Sequence, residues 1–432
     1  MTDLLLKTIV IFIFISSVLE AKIQLIKKEN SDSNSTLLVI AGIHGNEPGS
    51  YFAAAILEKH YAITSKNLWI VPNLNEESIM ANKRGIHGDM NRKFASMRRH
   101  DKDKKIVAEI KKLITSPNID VVLNLHDGHG FYRKKSEGRI YNPAAWGQTC
   151  VIDQCSLKEE QEFGNLGNIA TTVKNNINKK LLKKHHSFNV KNTKTKYFDK
   201  AMQLSLTYYS IRNNKPAFAI ETSKDLSSLS EKVFYQLLAI EEFMKIMHIG
   251  FIRDFNFSQK NIEKMLQNYG TLQVNGNLFI NFNNIKKYLS YIPLKSRGNS
   301  FKFSHTLGNF KRIHGKYVLY IGNKKVTTLK PQYFKMAHGC PDTFDAIVDG
   351  NTISIPKASS FDVKTDFTIR KQKGIRVNII GYHVRNVKNE NNINIKRKNL
   401  NSKFSIDKGK KAYRIEFYKK DKFCSMSIIN FK

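Results

Sequence analysis

From residue 36 to about 245 the chain alternates continuous apolar runs with stretches in which apolar residues recur every three or four positions. LLVIAGIH (37–44), LWIVPNLN (68–75), VVLNLH (121–126) and AFAIE (217–221) are apolar throughout, as strands buried on both faces are. Between them the spacing predicts helices from about Gly49 to His60 and near 101–115, and LSEKVFYQLLAIEEFMKIMHI (229–249) supplies a last one. Strands of this kind separated by helices predict an α/β fold, a mixed or mostly parallel sheet flanked by helices. After Gly250 the texture changes. GTLQVNGNLFINF, KYVLYIGNKKVTTL and YRIEFYKKDKFCSMSIINF are short alternating segments punctuated by NG, GN and DG turns, the pattern of antiparallel sheet. A break around HGCPDTF divides this part, so the expected organisation is 22–250, 251–340 and 341–432, two mainly β domains behind an α/β unit, the last an immunoglobulin-like sandwich.

The first 22 residues, MTDLLLKTIVIFIFISSVLEAK, place Lys7 ahead of a short apolar run and small residues at Ser16, Ser17 and Ala21. That run is too short to span a bilayer comfortably, so residues 1–21 read as a signal peptide and the mature chain as an exported protein without stable membrane insertion. Four cysteines suit that address. Cys150 and Cys155 are close enough to pair across a short loop, free buried thiols are an almost equal reading, and Cys340 and Cys424 lie far downstream.

The formal charge of +35 first suggests a nucleic-acid partner. Export argues against it, and the excess is lysine scattered along the chain (KNNINKKLLKKHH, IKRKNLNSK) without an arginine-rich helix or an aromatic RNA-binding signature. What remains is solubility, or attraction to an anionic polymer or carboxylate-rich substrate. His185 and His186, set among those lysines, read as surface residues, and VKNENNINIKRKNLNSK reads as a solvated loop.

The chemistry gathers at the strand ends, where open α/β sheets bind their ligands. The first strand ends at His44 and reaches Glu47 through a turn that Gly42 and Gly45 permit, VVLNLH ends at His126, and AFAIE ends at Glu221. Two imidazoles and a carboxylate make a three-ligand zinc site with one position left open, the arrangement of catalytic zinc. Between the first two ligand strands, NKRGIHGDMNRKF offers Arg84, Asn91 and Arg92, planar donors suited to carboxylates and to a developing oxyanion.

As a set, GIHGNE, Arg84 seven residues before Asn91-Arg92, LNLH, and Glu221 in IETS resemble the zinc carboxypeptidase superfamily, including its succinylglutamate desuccinylase and aspartoacylase branch, over residues 36 to about 245. The resemblance implies one zinc ion bound by His44, Glu47 and His126, Glu221 as general base and acid, Arg84 polarising the scissile carbonyl, and Asn91 with Arg92 gripping a terminal carboxylate. With an exported address and two β domains behind the catalytic unit, the chain looks like the periplasmic peptidoglycan DL-carboxypeptidases that determine helical cell shape. Such enzymes remove meso-diaminopimelate from uncrosslinked muramyl tripeptides, and some carry glutamine at the first metal-ligand position, where this chain has His44. Candidates for reading the far end of diaminopimelate, taken from the stretch between His126 and Glu221, are Arg139, Trp146, Thr207 and Tyr209. Two rival readings stay open: an N-acyl-amino-acid deacylase of the aspartoacylase type, and a wall-binding protein that grips stem peptides without cutting them.

Overall fold

In the computed structural model, which describes residues 23–432 apart from 31, 32, 34 and 159, the apolar runs form one seven-stranded sheet. Its order is Ile26–Lys28, Asn67–Val71, Thr36–Ile40, Ile119–Gly128, Ala217–Ser223, Thr149–Ile152 and Asn189–Asn192. The four inner strands from Asn67–Val71 to Ala217–Ser223 run parallel, while Ile26–Lys28 and Thr149–Ile152 join antiparallel, so the sheet is mixed. The signal peptide expected at 1–21 lies outside the described residues.

Pleating decides which side chains meet. On the Ala217–Ser223 strand, Phe218 turns to one face and packs on Phe243 of the helix Leu229–Ile246, with ring centroids 4.8 Å apart. Ala219 and Glu221 alternate to the other face and stand in register with Asn124 and His126 of the neighbouring strand. Leu229–Ile246 is buried on nearly all sides, pressed by the helices Pro48–His60 and Leu166–Asn178, which is why its apolar residues run all round it. Its start is fixed by Ser228, whose hydroxyl accepts from the Glu231 N–H, while Glu231 accepts from the Ser227 N–H. Pro48 opens Pro48–His60 at a position where a missing N–H is harmless.

Beyond residue 250 the chain stays tied to this unit: Phe251–Arg253 pairs with Tyr61–Ile63, and the helix Gln259–Leu266 packs on Leu229–Ile246. The remainder is β-rich. Thr271–Val274, Leu278–Asn281 and Phe301–Phe303 share a sheet with Ile375–Ile379, Ala412–Lys419 and Lys422–Phe431, so strands from both sides of residue 340 form one layer. A second sheet containing Thr343–Val348 packs against that layer, with Phe344 stacked on Phe417 at 3.6 Å between centroids.

The cysteine alternatives are resolved, and the surface reading of His186 is corrected. Cys340 is bonded to Cys424, while Cys150 and Cys155 are unpaired. Cys150 sits in an extended strand with its side chain in the core, and Cys155 lies exposed past the strand's end, so the short loop imagined between them does not fold back. His186 is no surface residue: it is buried, stacked on Phe131 and hydrogen-bonded to the Tyr235 hydroxyl at 3.0 Å.

Candidate active site and metal centre

The turn after the first strand is held by contact as well as by conformation. Gly42 has φ +72°, and a Cβ on Gly45 would fall 2.0 Å from the backbone of Ser78, so this loop lies directly on the start of the helix Glu76–Ala81. Pressed down there, it turns His44 and Glu47 towards His126. Glu47 Oε1 lies 3.0 Å from His44 Nδ1 and Oε2 lies 2.9 Å from His126 Nδ1, all three side chains being buried.

Their ligand atoms fall within 4.8 Å of one another, and among the described residues they form the one such group. Zinc bonds of about 2.0–2.2 Å would set tetrahedral ligand atoms roughly 3.3–3.6 Å apart, a spacing compatible with a trio whose ligand atoms all lie within 4.8 Å of one another. The donor set of two imidazole nitrogens and one carboxylate oxygen fits zinc. Behind it, His44 Nε2 meets Asp89 Oδ1 at 2.8 Å, a carboxylate that fixes the tautomer and leaves Nδ1 to face the centre. Asp89 also accepts from Arg84 Nε at 2.9 Å and from the Asn91 N–H.

The charges are mutually tuned. Burial works against the ionisation of both Glu47 and His44, but their attraction outweighs it: the Glu47 carboxyl is held far below the usual range and the His44 imidazole is raised. Burial lowers His126 despite its bond to Glu47. The Glu221 side chain makes no hydrogen bond among the described residues. Burial, then the negative charges of Glu47 and Asp127, push its carboxyl well up, while Lys224 and Arg84 pull the other way. Asp127 faces the opposite side of the sheet, where it accepts from the Gly49 N–H and the Thr222 hydroxyl, and burial pushes it up to about 6.

These groups open on a cavity of about 270 Å³ whose lining includes Arg84, Asn91, Arg92, Trp146, Thr207 and Glu221 as well as the three candidate ligands. The Asn91 amide oxygen accepts from the Leu206 N–H, leaving its NH2 group without a protein partner among the described residues. Arg139 and Tyr209 are not brought in. Arg139 is exposed on the turn before Tyr141–Asn142. Tyr209 follows Thr207 by two helical positions, about 200° round the Leu206–Arg212 helix, and packs instead against Phe94 and under Lys111.

Sequence reasoning missed three participants. Asp89 stood inside the Arg84 to Arg92 motif with no spacing rule to single it out. Lys224, three residues past Glu221, brings its ammonium 3.4 Å from Glu47 Oε1. Asn124 precedes His126 by two residues and so shares its face of the strand, a signal that was available. It is fully buried on the cavity wall, and neither polar atom of its amide has a partner among the described residues.

With this geometry in place, comparison with known proteins is informative. A family model described as the catalytic part of a carboxypeptidase controlling helical cell shape matches residues 1–267, and one described as the C-terminal domain of metallo-carboxypeptidase matches 337–432. The chain is similar to the cell shape determinant protein Csd4 of Helicobacter pylori. Its apo crystal structure is 34% identical, covers 95% of this chain and 100% of its own, and superposes with a TM-score of 0.88. The tripeptide-bound form gives 33% identity, the same coverage and 0.87. The mDAP-bound form, described as a D,L-carboxypeptidase, gives 34%, coverage of 94% and 100%, and 0.88. No curated protein matches the chain by sequence.

Proposed function

The chain belongs to the family of carboxypeptidases that control helical cell shape, and from that membership we propose that it is a zinc-dependent peptidoglycan DL-carboxypeptidase. Its reaction is hydrolysis of the bond between γ-D-Glu and meso-diaminopimelate in uncrosslinked muramyl tripeptides, leaving dipeptides. The observation that carries this reading is the arrangement around one cavity of the His44, Glu47, His126 trio, a partner-free Glu221 in register beside His126, and the donors Arg84, Asn91 and Arg92.

His44 Nδ1, Glu47 and His126 Nδ1 would hold the ion. Zinc there supplies a Lewis acid towards the scissile carbonyl and towards water. Everything else is work for the chain. Asn91 and Arg92 bind the substrate's free carboxylate and set its register, which makes the enzyme an exopeptidase: a blocked terminus leaves buried donors unpaired. Arg84 donates to the carbonyl oxygen as negative charge develops. Glu221, made a stronger base by burial and by the negative charges of Glu47 and Asp127, takes the proton of the attacking water and returns it to the departing amine. The Asn124 amide, without a partner among the described residues, offers both a donor and an acceptor at the cavity wall. That pairing suits the amino and carboxylate groups of diaminopimelate better than an apolar side chain.

None of the described helices is long and apolar enough to cross a membrane, and the leader expected at 1–21 directs the mature protein to the periplasm. The test is to incubate the zinc-loaded protein with muramyl tri-, tetra- and pentapeptides, beside Glu221→Gln, and identify products by mass spectrometry. Diaminopimelate should leave the tripeptide, and Glu221→Gln should lose at least about 100-fold in rate with zinc retained. Release of acids from N-acyl amino acids with every stem peptide intact would replace this reading by the deacylase one.

A further inference from the structure

Away from the active site, a groove of about 240 Å³ opens where the strand Tyr288–Leu294 meets the segment around Phe404. Its walls are locked together. The Lys286 N–H donates to the Ile406 carbonyl at 2.8 Å and the Lys408 N–H to the Asn284 carbonyl at 2.8 Å, while Arg414 Nη1 donates to the Tyr291 carbonyl at 2.9 Å. The groove is therefore preformed.

Its surface is unusual in three ways. Of the ten large hydrophobic side chains exposed among the described residues, three line it: Tyr288, Tyr291 and Phe404, at 42%, 60% and 50% exposure. Tyr291 lies in the left-handed region at φ +57°, inside a bulge between Leu289 and Ile292, and such a conformation in a β-favouring aromatic needs a reason. The bulge re-aims the side chain into the groove, the use to which bulges are commonly put. Finally, Lys286, Lys403 and Arg414 line the groove and no acidic residue does. Arg414 is buried, and among the described residues its Nε has no hydrogen-bond partner and its one ion-pair neighbour is Glu416 at 3.5 Å. Lys316 and Lys330 stand over the Tyr288 and Tyr291 rings.

Exposed aromatic faces ringed by cations suit a ligand with flat, weakly polar ring faces and attached anions. The groove is smaller than the roughly 300–1,000 Å³ pockets that engulf a drug-sized molecule. It therefore takes one unit of a chain that runs on past it. We propose that this groove binds a glycan segment that carries carboxylates on its appendages, with a sugar ring against Tyr288, Tyr291 and Phe404 and the carboxylates met by Lys286, Lys403 and Arg414. The identity of that polymer as peptidoglycan rests on the wall-directed function above, whereas the chemistry of the groove does not.

The test uses the full mature chain in a Glu221→Gln background, which leaves the polymer uncut, and measures cosedimentation with purified sacculi across a range of salt. Tyr288→Ala with Phe404→Ala should lower the bound fraction at least fivefold. Lys403→Glu, a change at an exposed position that spares the core, should lower it similarly and flatten the salt dependence. In the Glu221 parent, each set should leave kcat/KM on soluble muramyl tripeptide within twofold. Sacculus binding that matches the parent in both variants overturns the proposal, as does a parent that cleaves tripeptide and never sediments. Glycan strands stripped of stems that compete as well as stem-bearing strands overturn the carboxylate assignment. A parent that binds sacculi through this groove and cleaves no stem peptide sinks the enzymatic reading alone.

Discussion

Asp89 offers the sharpest test of the metal centre, because it touches no candidate coordinating position and still controls one ligand. Its carboxylate accepts from His44 Nε2 at 2.8 Å and from Arg84 Nε at 2.9 Å. Burial would raise its pKa, but the hydrogen bond from His44 and the charges of His44 and Arg84 outweigh this, so it stays ionised at neutral pH. Asp89→Ala removes a hydrogen bond to a charged acceptor, worth about 1.5–3 kcal/mol net. Spent on ligand orientation and basicity, that energy predicts zinc binding about 10–100-fold weaker, the size of effect typical of carboxylates behind metal-bound histidines. Asp89→Asn keeps an acceptor and loses the charge, so its effect should sit near the lower end.

The assay must separate metal affinity from turnover, since freeing Arg84 disturbs catalysis on its own account. Competition against a chromophoric chelator gives the zinc Kd directly, and kcat on the fully zinc-loaded variant then reports what Arg84 contributes. Asp89→Ala that binds zinc as tightly as the parent would refute the reasoning: the bond to His44 would then be a packing contact. A fall in kcat alone would move the role of Asp89 entirely to Arg84.

Two further outcomes follow from the same coordinates. The Cys340–Cys424 bond closes a separation of 84 residues, so replacing both by Ser should cost about 4.5 kcal/mol in urea unfolding on the chain-entropy estimate, whereas Cys150→Ser, which leaves that bond intact, should keep the parent's sensitivity to reductant. Asp153, buried and bonded to the Thr195 hydroxyl, is raised from 3.8 to about 6 by burial, so its folded form binds the proton more tightly than its unfolded form. Its contribution is greatest below pH 4 and falls as pH rises towards 6, by about 3 kcal/mol. The stability of the parent relative to Asp153→Asn should decline across that window, and a flat difference would show that Asp153 titrates normally.

The parts of this protein that were legible in its sequence are those with a period or a strand end. LLVIAGIH, VVLNLH and AFAIE announce buried strands, and a ligand-bearing residue at each end is a local fact. What escaped is long-range or irregular. Between Gly128 and Ala217 the chain is mostly short strands and single turns around the helices Leu166–Asn178 and Leu206–Arg212, so position alone placed Arg139 and Tyr209 in the pocket, and the helical phase of Thr207 turns Tyr209 away. The helix Leu166–Asn178 was missed although Leu166, Ile169, Ala170, Val173 and Ile177 carry its period, because polar Asn and Thr fill the other positions. The bond from Cys340 to Cys424 joins a loop to the last strand, and no local pattern encodes such a meeting.

The charge of +35 gains meaning once the acidic groups are located. Of the carboxylates near the cavity, Glu221 alone has a side chain without a hydrogen-bond partner among the described residues; Glu47 is engaged by two imidazoles, Asp89 by His44 and Arg84, and Asp127, on the sheet's other face, by Gly49 and Thr222. Beside Glu221, the charges that face an arriving substrate are those of Arg84, Arg92 and Lys224. A stem peptide carries free carboxylates and belongs to a polymer too large to diffuse, so the enzyme must come to it. Lysines spread over the whole surface give weak attraction at many points, each screened within about 8–10 Å at physiological salt, which concentrates the enzyme on an anionic mesh without fixing it. Tight, directional recognition is then needed only where cations converge on a shaped wall, at the cavity beside Glu221 and, by the inference above, at the groove between Tyr288 and Phe404. The same arrangement fits a sequence whose excess charge is scattered lysine without an arginine-rich helix: a single dominant patch would anchor the protein, and an enzyme that edits many stems in turn is better served by an even field.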